Sequence, residues 1–285
     1  MAELFEPHRR HLWAVAYRML GAAADADDIV QEAYLRARAT PPECVESPRA
    51  YLTTIVTRLC LDHWKSARVQ RETYVGPWLP EPVFTPAACD ETIDPASISL
   101  AFLVLLESLS PVERAAYLLR EVFDYSHAEV ARIVGRDEVS CRQLVHRARE
   151  RVVAQRPRFA PTHEAHARLL FEFARACAQG DLAGLERLLA EDVRATSDGG
   201  GKVHAAQRPI VGANRVARLY LGIFKLAASS QPSVEIAQVN GLPALVVRVL
   251  GTVKSIVDLE TDGERILSVR AIVNPDKLAG LAVCT

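Results

Sequence analysis

The stretch from Ser110 to Arg151 leaves the chain few ways to fold. Ser110, Pro111 and Glu113 form a helix start in which the serine and glutamate satisfy backbone donors reciprocally and the proline takes the first helical position. Ser126 and Glu129 repeat the device. Ala128, Val130, Ala131, Ile133 and Val134 then give an apolar side. Gly135 suits the left-handed residue that ends a helix and turns the chain, and Asp137 can cap the helix that follows. In that helix Cys141, Leu144, Val145, Ala148 and Val152 recur at helical spacing. The pattern predicts a helix followed by a helix-turn-helix.

The face opposite the apolar stripe needs a reason. It carries Arg136, Val139, Arg142, Gln143, His146 and Arg147, with Ser140 and Arg149 beside them. Arginine can pair with guanine, glutamine with adenine, and a valine can touch a thymine methyl when such a helix enters a major groove. Arg149, Arg151, Arg156 and Arg158 continue a positive run that suits phosphates. A solvated charged surface would account for the face taken alone. The capping boxes, the glycine turn and the arginine run together favour DNA.

Composition adds exclusions. Net charge is -1, so any nucleic-acid surface must be local. No apolar run approaches the ~20 residues of a membrane span, and the first residues lack the apolar core of a signal peptide. Cysteines fall at 44, 60, 89, 141, 177 and 284 with no Cys-x-x-Cys pair, which argues against zinc and disulfides and suits a reducing cytoplasm. No cofactor is implied. His163 and His166 read as surface histidines.

Before the central stretch, residues 3–20 predict one helix, ended by Gly21. A second helix over 22–37 carries Asp25, Asp27, Asp28 and Glu32 early, where the dipole favours acids; a docking face for a basic partner helix reads equally well. Ser47-Pro48 opens a third helix, with Thr54, Arg58, Asp62, Lys65 and Arg68 outward, Trp64 near its end and Arg71 after it. Basic residues interleaved with an aromatic ring suit melting DNA, though one tryptophan is more often core. Residues 73–97 are rich in proline and predict an extended linker whose Trp78 docks on a neighbour.

After a second linker the grammar changes. Helices are expected over His163–Gln179 and Asp181–Ala190, a strand over Val193–Thr196, and a loop over Asp198–Lys202. Val203–Ala206, a helix over Ala213–Ala227, and strands over Val234–Val239, Ala244–Val249, Thr252–Leu259 and Ile266–Val273 follow, with Asn240-Gly241 and Asp262-Gly263 as hairpin turns. Helices followed by a curved antiparallel sheet make an α+β unit.

These residues carry a resemblance. Asp-Ile-Val-Gln-Glu-Ala-Tyr at 28–34 and the helix around Tyr51–Arg68 resemble region 2 of a sigma-70 factor of the extracytoplasmic-function group. The helix-turn-helix resembles region 4, and the last part resembles the SnoaL-like, NTF2-type cone fused to one subgroup of such factors. That subgroup's marks stand here as Trp78-Leu-Pro-Glu-Pro82, Asp198-Gly-Gly-Gly-Lys202 and Asn274-Pro-Asp-Lys-Leu278. The implied fold is multidomain: two all-α helical domains, then an α+β cone. The implied boundaries are 1–72 for region 2, 73–98 for a linker, 99–155 for region 4, 156–162 for a second linker and 163–285 for the cone.

The resemblance further implies partners and roles. Asp28, Gln31, Glu32 and Arg36 would face core RNA polymerase. Asp62, Lys65, Arg68 and Arg71 would lie at the −10 element of promoter DNA. Arg136, Val139, Ser140, Arg142, Gln143, His146, Arg147 and Arg149 would read the −35 element, though Asp137 and Glu138 put acids where DNA approaches. Trp78, Leu79, Pro80, Asp198, Gly199, Gly200, Gly201, Lys202, Asn274, Pro275, Asp276 and Lys277 would make a regulatory contact within the chain. The implied function is a sigma factor tuned by its own third domain. The alternative is a ligand-binding or catalytic cone, with Asp198 and His204 as its acid–base pair, targeted to DNA by the helical half. A phosphate cradle at Asp198–Lys202 lacks the strand–loop–helix setting such a cradle needs.

Overall fold

The computed structural model describes residues 1–85, 95–155 and 162–281; side chains of residues 66–72, 95–96 and 155 fall outside that description. The chain divides into two compact units. One joins Met1–Thr73 to Phe102–Arg156, and the other joins Tyr74–Ala101 to Pro157–Thr285. The two helical groups thus pack as one unit, and the stretch expected to be a linker belongs with the cone.

In the helical unit α1 (Ala2–Phe5) passes through a 3-10 turn at Glu6–His8 into α2 (Arg9–Leu20). The single helix expected over 3–20 is interrupted because Pro7 has no amide hydrogen and its ring crowds the preceding turn. Gly21 ends α2 at φ 71°. Helices α3 (Ala23–Ala37) and α4 (Pro48–Glu72) follow. Leu12, Val15, Met19, Ile29, Val30, Ala33, Leu52 and Val56 make the core between them.

Then come α5 (Leu100–Leu106) and α6 (Pro111–Tyr117), the latter with both halves of its capping box formed by Ser110 and Glu113. A π-helical turn, Leu118–Val122, leads to α7 (His127–Val134), capped reciprocally by Ser126 and Glu129. Gly135 at φ 69° turns the chain into α8 (Glu138–Gln155). Ala116, Leu119, Tyr125, Val130, Ile133, Cys141 and Val145 form the core of this group.

The α+β unit starts with α9 (His163–Gln179) and α10 (Leu182–Leu188). Strands β1 (Leu189–Asp198) and β2 (Ile210–Val211), helix α11 (Ala213–Ala227) and strands β3 (Ser233–Val239), β4 (Leu242–Val249), β5 (Thr252–Thr261) and β6 (Ile266–Ile272) follow, then a last turn of helix, α12 (Pro275–Leu278). The sheet order is β2-β1-β6-β5-β4-β3. β1 runs parallel to β6, so the sheet is mixed rather than antiparallel throughout. The short β2 pairs with β1 through Val211 and Ile210. Asn240 (φ 52°) and Gly241 (φ 75°) make the hairpin expected of them.

One sheet face is covered by α9, α10 and α11, and Leu170, Phe173, Val216, Tyr220, Leu245, Val257, Leu259, Val269 and Ala271 fill the space between. Alternation along the strands puts Asp198, Asp258 and Arg270 on the opposite face. There the buried Arg270 donates to Asp258 at 3.0 Å and pairs with Glu260. His166 is 2% exposed and bonded to the Pro243 carbonyl at 3.0 Å, so it is a packed residue and not a surface one.

Removing Arg270 would strand two carboxylates that have little water. Arg270→Ala should therefore lower the stability of the α+β unit by about 3–5 kcal/mol, measured by urea unfolding. A loss under about 1 kcal/mol would contradict this role.

Candidate functional site

On α8 the helical period sorts the side chains. Cys141, Val145, Ala148 and Val152 are buried; Arg136, Val139, Arg142, Gln143, His146, Arg147 and Arg149 are exposed, with Ser140 at the edge. Val139 is 66% exposed on this face. The two acids beside this face are occupied. Asp137 accepts from the Ser140 amide at 2.8 Å and from its hydroxyl at 2.6 Å, which caps the helix and holds the carboxyl below its usual range. Glu138 pairs with Arg142 at 2.6 Å. Glu121 lies 3.8 Å from Arg149, and Glu113 3.0 Å from Arg151. The exposed Glu138–Arg142 pair is of the kind that is worth little and exchanges readily for a phosphate partner, whereas Glu113 is buried in its capping box. Arg156 and Arg158 lie outside the described residues.

On α4, Asp62 and Lys65 are exposed and paired at 2.7 Å. Arg68 and Arg71 stand on its last turns, and their side chains lie outside the described residues. Trp64 is not an open stacking platform. Its indole donates to the Met19 carbonyl at 2.9 Å, and the Arg114 guanidinium sits 4.8 Å from its ring centre. On α3, Asp28, Gln31 and Arg36 are exposed beside Leu35, and Glu32 pairs with Arg36 at 2.8 Å.

The third arrangement belongs to the α+β unit and centres on Asp198, whose side chain has no exposed surface. One carboxylate oxygen accepts from the Tyr74 hydroxyl at 2.5 Å. The other accepts from the Leu79 amide at 2.8 Å and from Lys277 Nζ at 2.6 Å. Burial and the bond to Asp198 push the Tyr74 phenol up. The Lys277 ammonium also donates to the Leu79 carbonyl and lies 4.2 Å from the Trp78 ring centre and 5.1 Å from that of Tyr74. Asn274 donates to the Tyr74 hydroxyl at 2.8 Å and caps α12 through the Asp276 amide, next to Pro275. Lys202 pairs with Asp276.

Three glycines follow because the backbone has close neighbours. A Cβ on Gly200 would meet the Asn274 amide at 2.3 Å, one on Gly201 the Val75 side chain at 3.0 Å, and one on Gly199 the Ala205 side chain at 2.8 Å. Gly200 and Gly201 also have φ of 59° and 71°.

Further along, the same segment is fastened again. The Val83 amide donates to Asn240 Oδ1 at 3.0 Å, and the Asn240 amide to the Val83 carbonyl at 2.9 Å. Thr85 takes the Gly241 amide at 2.9 Å, and Asn240 Nδ2 reaches the Ile98 carbonyl at 2.9 Å. Residues 74–85 are therefore a strap held at both ends. Leu79 and Pro80 are buried in it. The sequence singled out Trp78, Leu79, Asp198, Asn274 and Lys277, which meet here. It missed Tyr74, Val83, Thr85 and Asn240, for which only the Asn-Gly hairpin gave a hint.

An acid–base pair of Asp198 with His204 is not formed. Asp198 is consumed by the strap, and His204 is exposed beside a surface cleft of about 490 Å³ lined by Lys202, Val203, Ala205 and Val75. The cone interior is occupied by its own side chains, with Phe173 and Tyr220 edge to face at 5.2 Å.

Residues 4–69 match the Sigma-70 region 2 family and residues 99–152 the Sigma-70, region 4 family. The chain is 43% identical over 226 residues to the ECF RNA polymerase sigma factor SigJ of Mycobacterium tuberculosis, covering 77% of this chain and 72% of that one. It is 31% identical over 282 residues to the probable ECF sigma factor SigI of the same species, covering 95% and 92%. The crystal structure of M. tuberculosis SigJ superposes with a TM-score of 0.76 at 35% identity, covering 98% of this chain and 99% of that one. With its exposed basic helix-turn-helix and its acidic α3, the chain belongs to the extracytoplasmic-function sigma factors of the sigma-70 family, the subunits that direct transcription initiation.

Proposed function

We propose that this sigma factor reads promoter DNA with two helices and is tuned in cis by its α+β unit through the strap. In this reading α8 enters the major groove of the −35 element. Arg142, Gln143 and Arg147 face base edges, with Arg136, Val139, Ser140 and His146 around them and Arg149 on phosphate. Asp62, Lys65, Arg68 and Arg71 serve the −10 strand, and Asp28, Gln31, Glu32 and Arg36 dock on core RNA polymerase. Each DNA contact is weak alone, and the polymerase sets their spacing.

The observation that carries the tuning is the Asp198 site. The strap is the chain that joins region 2 to region 4. Binding Tyr74, Leu79 and Val83 to the α+β unit shortens the free tether between the two reading groups. Whatever frees the strap lengthens the tether and lets the groups take the spacing a promoter demands. The same bonds occupy both Asp198 oxygens and turn them to the strap rather than to His204, which supports regulation over catalysis.

Two measurements test this. Arg142→Ala and Arg147→Ala should each weaken binding to a cognate −35 duplex by about 1–3 kcal/mol and relax preference at one base pair; uniform weakening across sequences would make them phosphate contacts. Tyr74→Phe with Lys277→Met removes two of the Asp198 partners and should raise promoter-dependent initiation with purified core polymerase by about fivefold or more. Initiation at the wild-type level from a folded variant would end the case for tuning by the strap.

A further inference from the structure

Beside the strap, the α+β unit holds a cleft of about 490 Å³, within the size range of small-ligand sites. None of the residues that line it belongs to the apolar core under α9, α10 and α11. One wall is the start of the strap, Val75 and Gly76, and the other is the loop from Gly199 to Gln207. The two walls meet near both ends of that loop. A Cβ on Gly201 would meet the Val75 side chain at 3.0 Å, and one on Gly76 would lie 3.7 Å from the Gln207 Cα. Strap and loop together bound the space between them, so a molecule held there touches both.

The lining has a chemical bias. No residue in it carries a carboxylate, while Lys202 and His204 bring an ammonium and an imidazole. Lys202 is engaged by Asp276, but the two side chains are 53% and 62% exposed, and such a pair is worth little against a competing anion. The His204 side chain makes no hydrogen bond or ion pair among the described residues. Opposite these polar groups stand Val75 and Val203, large apolar side chains that are 50% and 41% exposed. Cationic donors beside an aliphatic wall suit a small carboxylate with a compact apolar body. Inorganic phosphate would use the donors and leave the wall wet, and an amine would meet the wrong charge.

We propose that this cleft binds a small amphipathic carboxylate, which bridges the strap to the loop 199–207 and holds the strap down. The inference rests on the reading above, in which the strap tunes initiation. Val75 follows Tyr74, whose hydroxyl donates to Asp198. A strap that lifts at Tyr74 takes the Val75 wall with it, so the ligand makes its full set of contacts only with the docked strap. A ligand shifts such an equilibrium by its difference in affinity for the two states and by no more. By reciprocity, docking tightens ligand binding by the factor with which the ligand tightens docking. Bound carboxylate therefore lowers promoter-dependent initiation.

The probe is phenylacetate, added to the full chain and followed by amide chemical shifts. A fragment of this size should bind with a Kd on the order of 1 mM and shift the amides of Val75, Gly76 and residues 199–207. Phenethylamine, which keeps the ring and reverses the charge, should leave them in place, as should inorganic phosphate. His204→Ala should weaken phenylacetate about fivefold or more, and Asp276→Asn, which frees Lys202, should tighten it about threefold. At about ten times Kd, phenylacetate should slow hydrogen exchange at the Leu79 amide ~3–10-fold while the amides of β5 and β6 are unaffected. The inference is overturned by absent shifts at that concentration, by equal shifts with phenethylamine or phosphate, or by Leu79 exchange that does not change with the cleft filled. A folded Asp276→Asn chain that binds no tighter overturns it too. Shifts and exchange are read without DNA or polymerase. Binding that slows Leu79 exchange yet leaves initiation unchanged would refute the strap reading and not the site.

Discussion

A carboxylate with no exposed surface costs free energy unless donors satisfy its oxygens. Asp198 has a phenol, a backbone amide and an ammonium. Two of the three come from the strap and one from the segment after the last strand. Breaking a pair of this kind typically costs about 3–5 kcal/mol, because the remaining charge is left without water. The site therefore holds Tyr74 and Leu79 of the strap on the α+β unit. The triple glycine, the Asn274 cap and the Asn240 hairpin all serve the same end, bringing backbone close enough for short polar contacts.

The two helical groups depend on local rules instead. Ser110, Ser126 and Asp137 each cap a helix, and Gly135 sets the turn between α7 and α8. With its buried stripe packed, α8 presents Arg142, Gln143, His146 and Arg147 to solvent. Its two acids are engaged, Asp137 in the cap and Glu138 with Arg142.

Much of this was legible in the sequence, and the reason is chemical. The capping boxes, the glycine turn, α9, α11 and the Asn240-Gly241 hairpin each rest on contacts within a few residues. What stayed hidden depends on distant partners. Nothing near Tyr74 announces Asp198, and nothing near Tyr125 announces its hydrogen bond with Thr53, 72 residues away. The parallel pairing of β1 with β6 is a matter of topology, which periodicity does not encode. Pro7 was a local signal that outranked the apolar pattern around it. His166 looked like a surface residue because its partner is a backbone carbonyl on a strand far along the chain.

The central claim is that the α+β unit grips the strap through Asp198. Hydrogen exchange at the Leu79 and Val83 amides tests it most directly, since their acceptors are Asp198 and Asn240. Both amides should be protected in the free wild-type chain, and Asp198→Asn should release Leu79 while the amides of β5 and β6 keep their protection. A Leu79 amide that exchanges in the wild type as fast as an unstructured one would contradict the account.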